Sequence, residues 1–507
     1  MELIIRQEGK ADKRICHNGE KSCYELLVQN GISFFSACGG KGICGKCRAR
    51  FLEGAPEPVA EEQRFFSEEE LQAGYRLSCC CGWNGDAVIE VEAFREETME
   101  ALTVDVEKLE AGSSDAKSAI AVDIGTTTIA IALFEKKTGH ILDTQSCMNR
   151  GRLFGTDVLA RMEAANQGYG EQLRQMLQQD IVQGMKTLIR RAGTLKENIG
   201  EVFISGNTTM QHLLLGYDCK GLGQYPFTPV CLAPGRKSYR EVFDDEMLAA
   251  EVVFFPGVSA FIGSDIVMGV YESGMYESDE MTLLLDLGTN GEMVLGNRER
   301  MLAASTAAGP ALEAGNIEKG MPGVAGAISH VTLEDGRVKY ETIGKRTPTG
   351  ICGTGVLEMV AELLRTGKID AAGTFIAEID KFTIVNGITF SQQDIRQVQL
   401  AKAAIRAGIE ILIDDYGIAV SDVSKIYLAG GFGYQLKEET AIAIGMLPEE
   451  WWGKVIPIGN ASLKGAIRYG CDADAKEKTI AIAAQIEEQN LAAHPKFETE
   501  YVEQINF

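Results

Sequence analysis

Over the first ninety positions apolar residues come in short runs separated by turns, as in Met1 to Ile5 and Ala87 to Val91, with one helix-like run from Tyr24 to Gln29. This pattern predicts a small, loop-rich domain over residues 1–94. Residues 95–117, REETMEALTVDVEKLEAGSSDAK, are polar and charged, the make-up of a linker with at most one short helix. From residue 118 the apolar runs reach full strand length. SAIAVDIGTTTIAIALF reads as a β-hairpin with Asp123 at the end of its first strand and Gly125, Thr126 and Thr127 in its turn. The same figure returns as MTLLLDLGTNGEMVLG, with Asp286, Gly288, Thr289 and Asn290. The aspartates are 286 − 123 = 163 positions apart, so residues 118–507 are predicted to hold two copies of one lobe. Between the copies, Leu173, Met176, Leu177, Ile181, Met185, Leu188 and Ile189 mark the buried face of a helix over Gln172 to Arg191. VFISGNTTMQHLLLG reads as strand, turn and helix; Asn207, Thr208 and Thr209 either cap the helix or line a site, and His212 is expected to be packed in the core.

Charge narrows the function classes. Lys and Arg number 49 against 72 Asp and Glu, a formal charge of −23, which excludes the basic face that nucleic acid requires. The most apolar stretch, Val252 to Val270, is interrupted by Pro256, Ser264 and Asp265, so no membrane span is expected. The opening MELIIRQEGKADK has neither the basic nor the apolar part of an export signal, and a cytoplasmic location is the expectation.

Of the 13 cysteines, eight precede residue 82. ACGGKGICGKC places Cys38, Cys44 and Cys47 at C-x5-C-x2-C spacing, and Cys79, Cys80 and Cys81 follow after 31 intervening residues. A 2Fe-2S cluster needs four thiolates, three from one loop and one from afar, and the loop's glycines let backbone N–H groups turn inward. Zinc would also suit Cys44 and Cys47, but zinc knuckles usually present two C-x-x-C pairs, and here the distal group is a CCC run. The loop resembles the adrenodoxin-like branch of the ferredoxin family. In that family the ligand is the first cysteine after an Arg-Leu pair, which in YRLSC favours Cys79, with Cys80 and Cys81 as alternatives. Cys16 and Cys23 are expected to be bystanders.

The two hairpin turns have a chemical use. Glycine lets backbone approach a phosphate, Thr and Asn donate to its oxygens, and a carboxylate at a strand end holds Mg2+ through its waters. They resemble the phosphate loops of the acetate and sugar kinase, heat-shock chaperone and actin superfamily. KIYLAGGFG, with Gly430, Gly431 and Gly433, stands where that superfamily binds adenosine. No G-x-x-x-x-G-K-[ST] loop is present, which argues against a P-loop ATPase. GICGTG, with Cys352, is either a helix start near phosphate or a plain turn.

Taken in order, CGGKGICGKC, YRLSC, DIGTTT, GNTTM, DLGTNGE, AAGPALEAG, GICGTG, LAGGFG and GNASLKGA resemble the reductive activators of corrinoid-dependent enzymes across nearly the whole chain. The resemblance implies an α/β multidomain protein: a β-grasp ferredoxin-like domain (1–94), a linker (95–117), and a two-lobed actin-like ATPase (118–507) with duplicated mixed sheets and flanking helices. It implies a 2Fe-2S cluster on Cys38, Cys44, Cys47 and Cys79, with ATP and Mg2+. Asp123 and Asp286 would hold the metal's waters and Glu292 would orient the attacking water. The phosphates would lie at Gly125, Thr126, Thr127, Gly288, Thr289 and Asn290, and the nucleoside at Gly430, Gly431 and Gly433. The implied activity is ATP-dependent return of Co(II) corrinoid to Co(I). The implied partners are the corrinoid protein of a methyltransferase system and an upstream electron donor, and a homodimer is compatible. Three other readings stand beside it: a small-molecule kinase with an accessory iron-sulfur module, an ATP-driven electron donor to a different low-potential enzyme, and a chaperone-like binding module, for which a cluster would be an odd addition.

Overall fold

The structure is a computed structural model that describes residues 1–507 except 8–10, 31, 33, 35–39, 41, 43–44, 83–84, 92–116, 335–336, 386 and 432–435. The linker of residues 95–117, Lys117 apart, lies outside the described residues, as do Cys38, Cys44 and Gly433. The chain divides into two compact units, Met1–Glu96 with Arg150–Ala164, and Glu97–Asn149 with Ala165–Phe507.

The first unit is a five-stranded sheet in the order Lys13–Cys16, Glu2–Arg6, Ala87–Val91, Arg48–Glu53, Tyr75–Leu77. Glu2–Arg6 runs parallel to Ala87–Val91, and the other pairings are antiparallel. In Arg48–Glu53 the period of two is plain: Ala49 and Phe51 are buried while Arg48 and Arg50 face water. Helix Cys23–Gln29 starts at Ser22, whose hydroxyl accepts from the Glu25 N–H while the Glu25 carboxylate accepts from Ser22 N–H. Its Leu26, Leu27 and Val28 join Leu3, Ile5, Phe51 and Ile89 in one core. Arg150–Ala164, which the sequence sets among the ATPase residues, groups here because Leu153 is buried in this core and its carbonyl accepts from the Tyr24 hydroxyl.

The second unit holds the duplication. Its first sheet has the order Gly235–Ser238, Glu251–Phe254, Ile199–Gly206, Ser118–Ile124, Thr128–Glu135, Ile141–Met148. The second has Val455–Gly459, Lys425–Ala429, Thr282–Leu287, Gly291–Gly296, Met301–Thr306, Ile486–Glu488. In each, an antiparallel meander of three strands is extended on one side by two parallel strands. The edges differ: Gly235–Ser238 adds antiparallel to the first sheet, whereas Ile486–Glu488 adds parallel to the second. Ser118–Ile124 and Thr282–Leu287 sit mid-sheet with helices on the faces, which is why they read as nearly continuous apolar runs ending in an aspartate. The predicted amphipathic helix is Gly170–Ala192. Its counterpart before Lys425–Ala429 is Gln392–Tyr416, capped at Ser391 by a reciprocal bond with Asp394. Helices Ser264–Ser273 and Ala461–Cys471 pack closely on each other, and each begins beside the central hairpins.

Candidate functional site

Both hairpin turns have the predicted form. Asp123 pairs across its hairpin with Ala130, and Asp286 with Glu292. The first turn is held by Gly125 N–H donating to the Thr128 carbonyl (3.0 Å), by the buried Asn149, whose Nδ2 donates to the Gly125 carbonyl (2.9 Å), and by Asn149 N–H donating to the Thr127 carbonyl (2.9 Å). In the second turn Gly288 N–H donates to the Asn290 carbonyl (2.9 Å), and Asn290 Nδ2 donates to Glu292 Oε1 (3.1 Å). Folding brings the turns together: Thr127 Oγ1 and Thr289 Oγ1 are 3.2 Å apart.

Gly430, at φ +92°, ends its strand directly against the second hairpin. A β-carbon there would lie 2.3 Å from the Leu287 carbonyl oxygen and 2.7 Å from Asp286 Oδ1, so the glycine is sterically required. Gly431 follows it, and Gly433 is outside the described residues. Asn207 caps its helix and also reaches the first hairpin turn. Its Oδ1 accepts from Met210 N–H as the helix cap (2.9 Å), and its Nδ2 donates to Thr126 Oγ1 (3.1 Å). His212 is a core residue as expected: Val230 N–H donates to its Nε2 (3.0 Å), so Nδ1 carries the proton and donates to the Thr208 carbonyl (2.8 Å). Burial holds its pKa below the ordinary histidine value. GICGTG is a helix start, with Cys352 preceding helix Gly353–Arg365.

Around the hairpins stand four half-buried carboxylates, and one of them, Asp265, was not singled out from the sequence. Asp123 is gripped by two donors at the start of helix Ala461–Cys471, Ser462 Oγ to Oδ1 (2.7 Å) and Asn460 Nδ2 to Oδ2 (2.8 Å). Enclosure raises its pKa and those two hydrogen bonds oppose the rise. Asp265, in the first turn of helix Ser264–Ser273, is pushed up to about 7 by burial and then by the charge of Asp123. Asp286 is pushed up to about 8 by burial, then by Asp265 and Asp123. Glu292 is raised well above the carboxylate range by burial, then by Asp265 and Asp286, with Asn290 opposing. Mutual repulsion of this kind among facing acids is relieved by a cation or by protons, and Mg2+ takes oxygen ligands of this type. Asn460, Ser462 and Glu313, whose Oε2 accepts from both Thr127 and Thr289, were likewise not singled out, although they lie in the GNASLKGA and AAGPALEAG phrases.

In the first unit Cys47 Sγ donates to Cys79 Sγ at 3.2 Å, and Cys80 Sγ lies 3.8 Å from Cys79. Cys81 is buried, and its carbonyl accepts from Cys23 N–H (3.0 Å). Cys79 is therefore the member of the CCC run that faces Cys47. Gly40 and Gly45 of the loop have φ of +86° and +66°, and β-carbons there would come 2.9 Å from the Tyr24 ring and 2.3 Å from the Phe65 ring. Aromatic rings thus close directly on a glycine backbone, and the sulfur donors with that cradle fit an iron-sulfur group. Iron binds the thiolate form of cysteine, so loading such a site releases the thiol protons.

Residues 5–82 match the 2Fe-2S iron-sulfur cluster binding domain, 118–278 the RACo middle region, and 280–507 the C-terminal domain of RACo, the ASKHA domain. The chain is 33% identical over 411 residues to the corrinoid activation enzyme RamQ of Eubacterium limosum, a match covering 76% of this chain and 69% of that protein. It is 29% identical over 274 residues to the [Co(II) methylated amine-specific corrinoid protein] reductase of Methanosarcina barkeri, where the match spans half of each protein. Among solved structures, a reductive activator for corrinoid, iron-sulfur protein superposes with a TM-score of 0.72 at 27% identity, covering 100% of this chain and 98% of that one. An iron-sulfur binding domain and a duplicated ATPase fold on one polypeptide, with likeness at this level across them, place the chain in the family of reductive activators of corrinoid proteins.

Proposed function

We propose that the chain returns the inactive Co(II) form of a methyltransferase system's corrinoid protein to Co(I), passing one electron from its ferredoxin unit and using ATP bound between its lobes. The observation that carries this is the pairing, on one chain, of a cysteine-lined glycine cradle with a cleft where two threonine turns meet over four repelling carboxylates. Cys38, Cys44, Cys47 and Cys79 would hold a 2Fe-2S cluster able to supply a single electron, and plant-type centres of that kind lie at roughly −400 mV. Each ~59 mV of shortfall against the acceptor is a factor of about ten in a one-electron equilibrium, so a second source of free energy is needed.

The chain's residues define how that source is used. Thr126, Thr127, Thr289 and Asn290 donate to phosphate oxygens, and Gly430 and Gly431 let backbone approach the nucleoside. Asn460 and Ser462 orient Asp123, and Asp123 and Asp286 would hold a magnesium ion through its waters. Glu292, across the hairpin from Asp286, accepts a proton from the attacking water. The lobes change the partner's equilibrium only by binding it differently in their nucleotide states. A cytoplasmic location, a separate upstream reductant and a homodimer are compatible parts of this proposal; no described helix is long and apolar enough to cross a membrane.

The test is the Co(II) to Co(I) absorbance change of the cognate corrinoid protein with a reductant, with and without ATP. A higher Co(I) yield with ATP is expected. Equal yields would overturn the coupling, and phosphorylation of a small molecule would favour a kinase.

A further inference from the structure

One carboxylate at the cleft has no part in the chemistry above. Glu313 accepts at a single oxygen, Oε2, from Thr127 Oγ1 (3.0 Å) and from Thr289 Oγ1 (2.8 Å). These hydroxyls belong to the tips of the two duplicated hairpins, so one carboxylate oxygen ties the turns of both lobes together. It does so through the donors that a phosphate would use, and the carboxylate takes the acceptor role of a phosphoryl oxygen. The nucleoside loop indicates which phosphate that is. Gly430 lies against Leu287 and Asp286 in the second lobe, so a phosphate chain starting there meets the second hairpin first and Thr127 of the first hairpin last. The position bridged by both threonines is that of the phosphate farthest from the nucleoside.

We propose that Glu313 is a gate for the terminal phosphate, one that ATP must displace and ADP need not, and that it thereby sets how the protein discriminates the two nucleotides. The inference rests on the reading of this cleft as an ATP site. Two anions cannot share the same pair of hydroxyls in a poorly solvated cleft, so the γ-phosphate and the carboxylate compete directly. The backbone just past Glu313 is strained at Ala314. Ala314 and Asn316 hold left-handed φ of +60° and +59°, a region Asn tolerates but one that Ala keeps only where its surroundings enforce it. The segment is also connected to the rest of its lobe. Glu318 N–H donates to Asp394 Oδ1 (2.8 Å), a residue of the cap of helix Gln392–Tyr416, and Lys381 Nζ lies 2.8 Å from both Glu318 carboxylate oxygens. Displacing Glu313 therefore converts part of the γ-phosphate's binding energy into movement at that helix start, and loss of phosphate after hydrolysis lets the gate return.

The experiment measures binding of magnesium-AMPPNP and magnesium-ADP to the whole chain by isothermal titration, for the wild type and for Glu313→Gln and Glu313→Asp. Glu313→Gln keeps an acceptor but removes its charge, so the phosphate displaces weaker, neutral hydrogen bonds; AMPPNP should tighten by roughly tenfold and ADP should stay within about twofold. Glu313→Asp keeps the charge but is one methylene too short to reach both threonines, and should tighten AMPPNP by a smaller factor. Should one variant fail to fold, as judged by circular dichroism, the other decides. Weaker AMPPNP binding, or equal changes for the two nucleotides, would overturn the gate. A wild-type chain that binds neither nucleotide would instead overturn the ATP reading on which the gate stands.

Discussion

Asp265 and Asp286 carry their charges at a cost, because enclosure and neighbouring acids raise their pKa values to about 7 and about 8. An unfolded aspartate titrates near ~3.9, so the folded chain binds these protons more tightly. Stability from this source is complete below about pH 4 and is lost as pH rises toward 7 and 8. The melting temperature of magnesium-free protein should fall from pH 5 to pH 8, and fall less in Asp265→Asn; parallel profiles would rule out the cluster as the cause. Asp286→Asn should lower ATP turnover at least ~100-fold, on the scale of losing one electrostatic contact to developing charge, with the cluster's visible spectrum intact. Turnover at the wild-type rate in that variant would remove Asp286 from the chemistry. Among the distal cysteines, Cys79→Ser should lose iron and sulfide, because Cys79 faces Cys47, whereas Cys80→Ser should keep both. Iron analysis of the two proteins, prepared without air, tests that assignment.

At the scale of elements, the spacing of two helices determines the spacing of the acids. Ser264–Ser273 carries Asp265 at its start, and Ala461–Cys471 starts at the two groups that grip Asp123. Where they cross, a β-carbon on Gly465 would stand 2.3 Å from the Met268 carbonyl oxygen, so backbone rather than a flexible side chain would have to yield. Gly465→Ala should therefore cost about 1–3 kcal/mol of stability by overpacking, and should slow ATP turnover because the acids separate with the helices. Calorimetric melting and a steady-state phosphate assay check both, and wild-type values for both would show that the helix pair has slack at the crossing. The hairpins themselves were legible in the sequence because everything that defines them is local: strand-length apolar runs, an aspartate at the strand end, and a glycine-threonine turn. Arg150–Ala164 was not, since its allegiance to the ferredoxin core depends on Leu153 and Tyr24, residues 129 positions apart.

For the whole molecule, cluster and cleft should be separable by mutation but inseparable in function. A variant lacking iron through Cys47→Ser should hydrolyse ATP and make no Co(I). Asp286→Asn should keep a reducible cluster and show no ATP-driven gain in Co(I), read from the cobalt absorbance with the cognate corrinoid protein. Co(I) formation by an equimolar mixture of the two variants would show that the halves need not act on one partner from one chain.

The sequence by itself determined the acidic charge balance, and with it the cysteine loop, both acidic hairpins and the strand leading into Gly430, because each of these elements is a contiguous stretch whose chemistry follows from its own spacing. Only the tertiary structure decided what surrounds them. Asp123 depends on donors 337 and 339 positions away, and Thr127 meets Thr289 and Glu313 across 162 and 186 positions. The raised pKa values of the acids exist only because folding presses like charges from three segments into one poorly solvated cleft.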